Sequence, residues 1–128
     1  MSGFAVEPVD ALEVVAAWVA PKKTIPAVES SPGWFVLGEY FLPKSTMAFL
    51  DVAGCVSHES LTLRVRLWDV EAKAAVPGVA EIRSVAGQRS KGVRVQLIGN
   101  RSYQVQAECT GAVGDDRFGV VETATISD

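Results

Sequence analysis

A single histidine and two cysteines in 128 residues leave little material for metal or nucleophilic chemistry. Two thiols are too few for a disulfide framework or a structural zinc site. One imidazole among scattered carboxylates offers no transition-metal ligand set. Neither a G-x-G-x-x-G fingerprint nor a P-loop occurs, so no phosphate cradle is legible. No cofactor is implied, and no enzymatic activity is expected. Long apolar runs are missing as well: nothing approaches the ~20 continuous apolar residues of a membrane span. Met1-Ser2-Gly3-Phe4-Ala5 lacks the basic start and apolar stretch of a secretory signal, so cytoplasmic synthesis without a signal peptide is expected.

What is present is the composition of one globular domain over 1–128, with 48% hydrophobic and 21% charged residues. A net charge of −3 and a pI near 5.1 argue against nucleic acid as a partner. The charge is uneven: residues 1–60 hold three Lys/Arg against seven Asp/Glu, and residues 61–128 hold nine against eight.

Period-two alternation organises the rest. Leu61, Leu63, Val65 and Leu67 point one way, while Thr62, Arg64, Arg66 and Trp68 point the other, as in a half-buried strand. Val93, Val95 and Leu97 repeat the pattern, as do Tyr103, Val105, Ala107 and Cys109 after the polar break Gly99 to Ser102. Further strands are expected over Trp34–Leu42, Thr46–Val56 and Phe118–Ile126, with a weaker one over Glu71–Ile82 interrupted by Pro77-Gly78. Breaks every ten or so residues predict an all-β fold, an antiparallel β-sandwich. Cys55 and Cys109 lie in strand-like runs and are expected as reduced core thiols.

Before residue 34 the pattern is weaker. Residues 1–9 read as an N-terminal extension that could serve as a docking arm. Residues 9–20 fit either a short helix, through an Asp10-x-x-Glu13 capping box, or a strand, through Leu12, Val14, Ala16 and Trp18; the β-favouring residues tip the reading to strand. Residues 22–33, rich in proline and serine, read as a loop or crossover.

Candidate chemistry is sparse. His58, in Ser57-His58-Glu59-Ser60, has adjacent residues that point different ways, so it makes no triad by itself and reads as a polar turn. Asp115-Asp116 lacks the D-x-D-x-D-G spacing of a calcium loop and reads as a solvated turn. From Arg83 to Arg101 five basic residues, Arg89 and Lys91 among them, occur without an acidic one, and Ser84 to Gly92 reads as an exposed loop. Trp68 shares the outward face of its strand with Arg64 and Arg66, and Trp34 and Tyr40 flank another strand. Outward aromatics cover a second apolar surface or stack on a sugar. Trp34, Tyr40, Arg64, Arg66, Trp68, Arg89 and Lys91 are therefore the expected interaction surface.

The order Cys55, Trp68, Cys109 has the form of an immunoglobulin core trio, but Trp68 has the wrong parity and no Tyr precedes Cys109 by two. A second likeness fits better. Leu61-Thr-Leu-Arg-Val-Arg-Leu-Trp-Asp-Val70, then Val76-Pro-Gly-Val79, then Ser102-Tyr-Gln-Val-Gln-Ala-Glu-Cys-Thr-Gly111 resembles the β-sandwich modules of bacteriophage virion proteins and bacterial surface proteins. The resemblance covers residues 34–126 and carries no catalytic residues. It implies a jelly-roll-like structural or assembly module of decoration or fibre type, located in a virion. Its partners would be protein, through self-association or a larger particle. The alternative is a carbohydrate-binding module that uses its exposed aromatics on a glycan.

Overall fold

A computed structural model describes residues 18–20, 22–85, 88–90 and 92–127. Among the described residues ten strands occur: β1 (Trp18–Ala20), β2 (Lys23–Val28), β3 (Phe35–Leu42), β4 (Thr46–Val56), β5 (Thr62–Asp69), β6 (Ala74–Ile82), β7 (Gln88–Arg89), β8 (Val93–Leu97), β9 (Arg101–Thr110) and β10 (Phe118–Ser127). Among the described residues there is no helix, and so none long and apolar enough to cross a membrane. The expected all-β class is observed. The docking-arm reading of 1–9 and the helix-or-strand question over 9–17 lie outside the described residues, while Trp18–Ala20 is strand.

The pairing is nested. β2 pairs β10, β3 pairs β9, β4 pairs β8 and β5 pairs β6, each antiparallel. β10 also pairs β4, and β9 also pairs β5. These contacts give two halves, β2-β10-β4-β8 and β3-β9-β5-β6, with jelly-roll-like connectivity. β1 adds to β10, and β7 adds to β4. The halves are not separate sheets. β2 follows β10 as far as Pro26, then runs parallel to β9 at Ala27 and Val28, so the ten strands form one continuous, nearly barrel-shaped sheet. The region 22–33, expected as a loop or crossover, therefore contains a strand. Pro26 is tolerated because it stands at this changeover, where a central ladder bond is not required of it.

The alternating residues fill the interior. Leu61, Leu63, Val65 and Leu67 are fully buried, as are Val105, Ala107 and Cys109, with Tyr103 nearly so. From β4 come Ala48, Leu50 and Val52, and from β10 Val121, Ala124 and Ile126. Each buried Leu or Val side chain contributes about 1.5–3 kcal/mol relative to exposure. Two close approaches set local geometry. An added Cβ on Gly54 of β4 would collide with the Val120 carbonyl oxygen of β10. Gly78, at φ 114°, brings β6 against Val93 and Val95 of β8. It follows Pro77 in the irregular stretch of β6 between the partners of Arg66 and Trp68, where a bulge accommodates both residues.

Candidate functional site

The outward residues of β5 and β9 carry the side chains expected at an interaction surface. Antiparallel partners share a face, so register fixes the neighbours. Arg66 lies opposite Val79 of β6 on one side and Gln106 of β9 on the other, and Gln106 lies opposite Val36 of β3. One row thus reads Val79, Arg66, Gln106, Val36. The row beside it reads Ala75, Trp68, Gln104, Glu39, and the row on the other side Glu81, Arg64, Glu108. Val36 and Val79 are 51% and 45% exposed.

Four of the seven expected residues meet here. The Arg66 guanidinium lies 3.9 Å from the Trp34 ring centroid and 5.2 Å from that of Trp68. Its Nε donates to Gln106 Oε1 at 2.9 Å. A polar chain continues as Gln106 Nε2 donates to Gln104 Oε1 at 3.1 Å and Gln104 Nε2 to Glu39 Oε1 at 3.3 Å. Arg64 Nε donates to Glu81 Oε2 at 3.0 Å, and its Nη1 donates to Thr110 Oγ1 at 3.1 Å. Burial holds Arg66 below the usual guanidinium range, with the Glu108 charge working the other way.

Trp34 reaches Arg66 because the segment 29–34 between β2 and β3 folds over β9. Glu108, outward by parity, is only 1% exposed beneath it. Glu108 Oε1 accepts from Ser31 Oγ at 2.8 Å and from the Gly33 amide at 2.9 Å, while Oε2 faces Arg64 Nη1 at 3.6 Å. A buried carboxylate needs such partners. Nothing in the local sequence of either segment marks Glu108 as the anchor.

Tyr40 and Arg89 are elsewhere. Tyr40 faces inward and stacks on Tyr103 with ring centroids 6.0 Å apart, so its placement corrects the surface expectation. Burial first, and Tyr103 second, raise its phenol well above the usual range. The reason is a bulge in β3 between Val36 and Gly38, which reverses the parity linking Trp34 to Tyr40. Arg89 lies in the short strand β7, opposite Ala53, so the Ser84–Gly92 segment is not wholly loop. Lys91 lies outside the described residues. Other members of the basic run meet this chain itself: Arg83 pairs with Glu81, Arg101 pairs with Asp69, and Arg94 stands over Phe49.

His58 has company that its sequence did not announce. Its Nδ1 lies 2.8 Å from Ser57 Oγ, and its Nε2 lies 3.7 Å from Asp116 Oδ2. The Ser57 hydroxyl also accepts the Phe118 amide at 2.9 Å. In a catalytic triad the serine meets Nε2 and the carboxylate Nδ1; here the two are exchanged. The carboxylate stands at ion-pair rather than hydrogen-bond distance, on a side chain 79% exposed. The arrangement ties the 57–60 turn to the 111–117 turn. Among the described residues no group of three or more His, Cys, Asp or Glu could hold a metal ion. Cys55 and Cys109 are both free.

No protein-family model matches this sequence, and no curated protein matches it.

Proposed function

We propose that this domain is a non-enzymatic assembly module that associates through the outer face of β3, β9, β5 and β6. The supporting observation is the row Val79, Arg66, Gln106, Val36 with Trp34 against the guanidinium. Trp and Arg are among the side chains that dominate protein interfaces, whereas Lys is depleted there. The four strands contain no lysine. Phe41, 57% exposed at the end of β3, extends the apolar character along the same face. Held by Gln106, Arg66 loses less side-chain entropy on docking than a free arginine would. In keeping with the resemblance to virion modules, the assembly would be a self-associated oligomer or a larger particle.

Light scattering on the chain from micromolar to millimolar concentration tests this reading. The expected result is a molar mass rising above the 13.6 kDa monomer, with Val36→Asp combined with Val79→Asp returning the monomer. A strict monomer throughout would overturn it.

The polar chain Glu39, Gln104, Gln106 beside Trp68 favours a glycan as a second reading, since sugar sites combine an aromatic with fixed polar groups. Arg66 over the Trp34 ring argues against it, because that face is already covered. Tryptophan fluorescence unmoved by a panel of oligosaccharides would end the glycan reading.

A further inference from the structure

Arg64 and Arg66 stand two residues apart on one face of β5, yet their electrostatic situations differ. Arg64 meets two carboxylates, Glu81 at 3.0 Å and Glu108 at 3.6 Å. Arg66 has a neutral acceptor at Nε and two indole rings. Among the described residues no carboxylate comes within ion-pair distance of Arg66. Its planar guanidinium presents a donor fork that matches a carboxylate. Val36 and Val79 flank the Arg66–Gln106 pair, both exposed. An occupant that fits has a carboxylate set among aliphatic side chains.

The chain itself holds such a sequence. Residues 1–17 include Glu7, Asp10 and Glu13 but no Lys or Arg, and the acids alternate with Val6, Val9, Leu12 and Val14. Fully extended, a segment of that length spans about 55 Å. It leads into β1, whose Trp18 pairs with Ile126 one residue before the last described residue of β10. A neighbouring molecule is therefore within reach.

We propose that the acidic segment around Glu7, Asp10 and Glu13 of one copy docks on the β3-β9-β5-β6 face of a second copy, with a carboxylate received by Arg66. This inference rests on the assembly reading above and names the contact that would drive it.

A charge exchange on the full chain tests it. Light scattering is expected to show Arg66→Glu as a monomer, and likewise the triple variant Glu7→Lys, Asp10→Lys, Glu13→Lys. An equimolar mixture of the two is expected to regain the molar mass of the parent. Each lysine segment then meets a face whose arginine has become a carboxylate, and each acidic segment meets an intact Arg66. The triple variant alters none of the described residues, so it remains decisive even if Arg66→Glu does not fold. A triple variant that associates like the parent would overturn the proposal, as would a mixture of two folded variants that stays monomeric. A parent monomeric at millimolar concentration removes the assembly reading itself; a parent that associates beside an unaffected triple variant removes only this contact.

Discussion

The Ser31 hydroxyl donates a 2.8 Å hydrogen bond to the carboxylate of Glu108, 77 residues along the chain. Together with the Gly33 amide at 2.9 Å, this bond fastens the segment before Trp34 onto β9. Glu108→Ala removes both acceptor contacts and one carboxylate facing Arg64, which keeps Glu81. The expected loss is about 3 kcal/mol, the low end for breaking a buried charged pair. Ser31→Ala is expected to cost about 1.5 kcal/mol. Urea unfolding of both variants checks the ranking; equal stability to the parent for Glu108→Ala would refute the fastening role.

Acid should act at Asp69. The Ala72 amide, ahead of other influences, holds its carboxyl below the usual carboxylate range; burial opposes this, and the Arg101 guanidinium at 2.7 Å adds to it. A folded pKa below the unfolded one contributes stability that is present above the unfolded value, about 3.9. That contribution is lost as pH falls through the lower folded value. The urea midpoint of the parent is therefore expected to drop below pH 4 more steeply than that of Asp69→Asn. Parallel pH profiles for the two would contradict the assignment.

Cys109 should be inert in the folded protein. Burial, followed by the charge of Glu108, pushes its thiol up to about 11, and it is fully buried. Thiolate is the reactive form. At pH 8 a disulfide reagent such as Ellman's reagent is expected to leave Cys109 untouched in the native state and to modify it in denaturant. Mass spectrometry locates the label, and rapid native labelling of Cys109 would count against the packing described.

Gly54→Ala is expected to destabilise by about 1–3 kcal/mol, the usual cost of overpacking. The new methyl would meet the Val120 carbonyl, and β4 and β10 are hydrogen-bonded along that stretch. Thermal unfolding measures the effect. A parent-like melting temperature would mean that the two strands can separate locally at no cost.

Strands β5, β8 and β9 are legible because alternate residues of each fill the interior, and strict alternation in the sequence is the imprint of that geometry. β2 was hidden by Pro26 and its neighbouring prolines, whose meaning depends on a changeover between β10 and β9 that no local pattern encodes. The surface was half legible for a similar reason. Arg64, Arg66 and Trp68 share a face by simple parity, but Trp34 joins them only through the pairing of β3 with β9. Tyr40 turns inward because one bulge residue inverts every side chain beyond it. Glu108 is outward by parity, and its cover arrives from a distant loop.

The nested pairing also sets a timetable for synthesis. Ile25 of β2 has its partner in Gly119 of β10. At about 5–20 residues per second, a ribosome adds that partner roughly 5–20 s after Ile25. β10 then enters the sheet between β4 on one side and β1 and β2 on the other, strands that have been waiting with open edges. Non-local β pairing of this kind folds in milliseconds to seconds once the chain is complete. Translation, rather than folding, is therefore the slow step, and the growing chain spends it with apolar strands exposed to any holding chaperone.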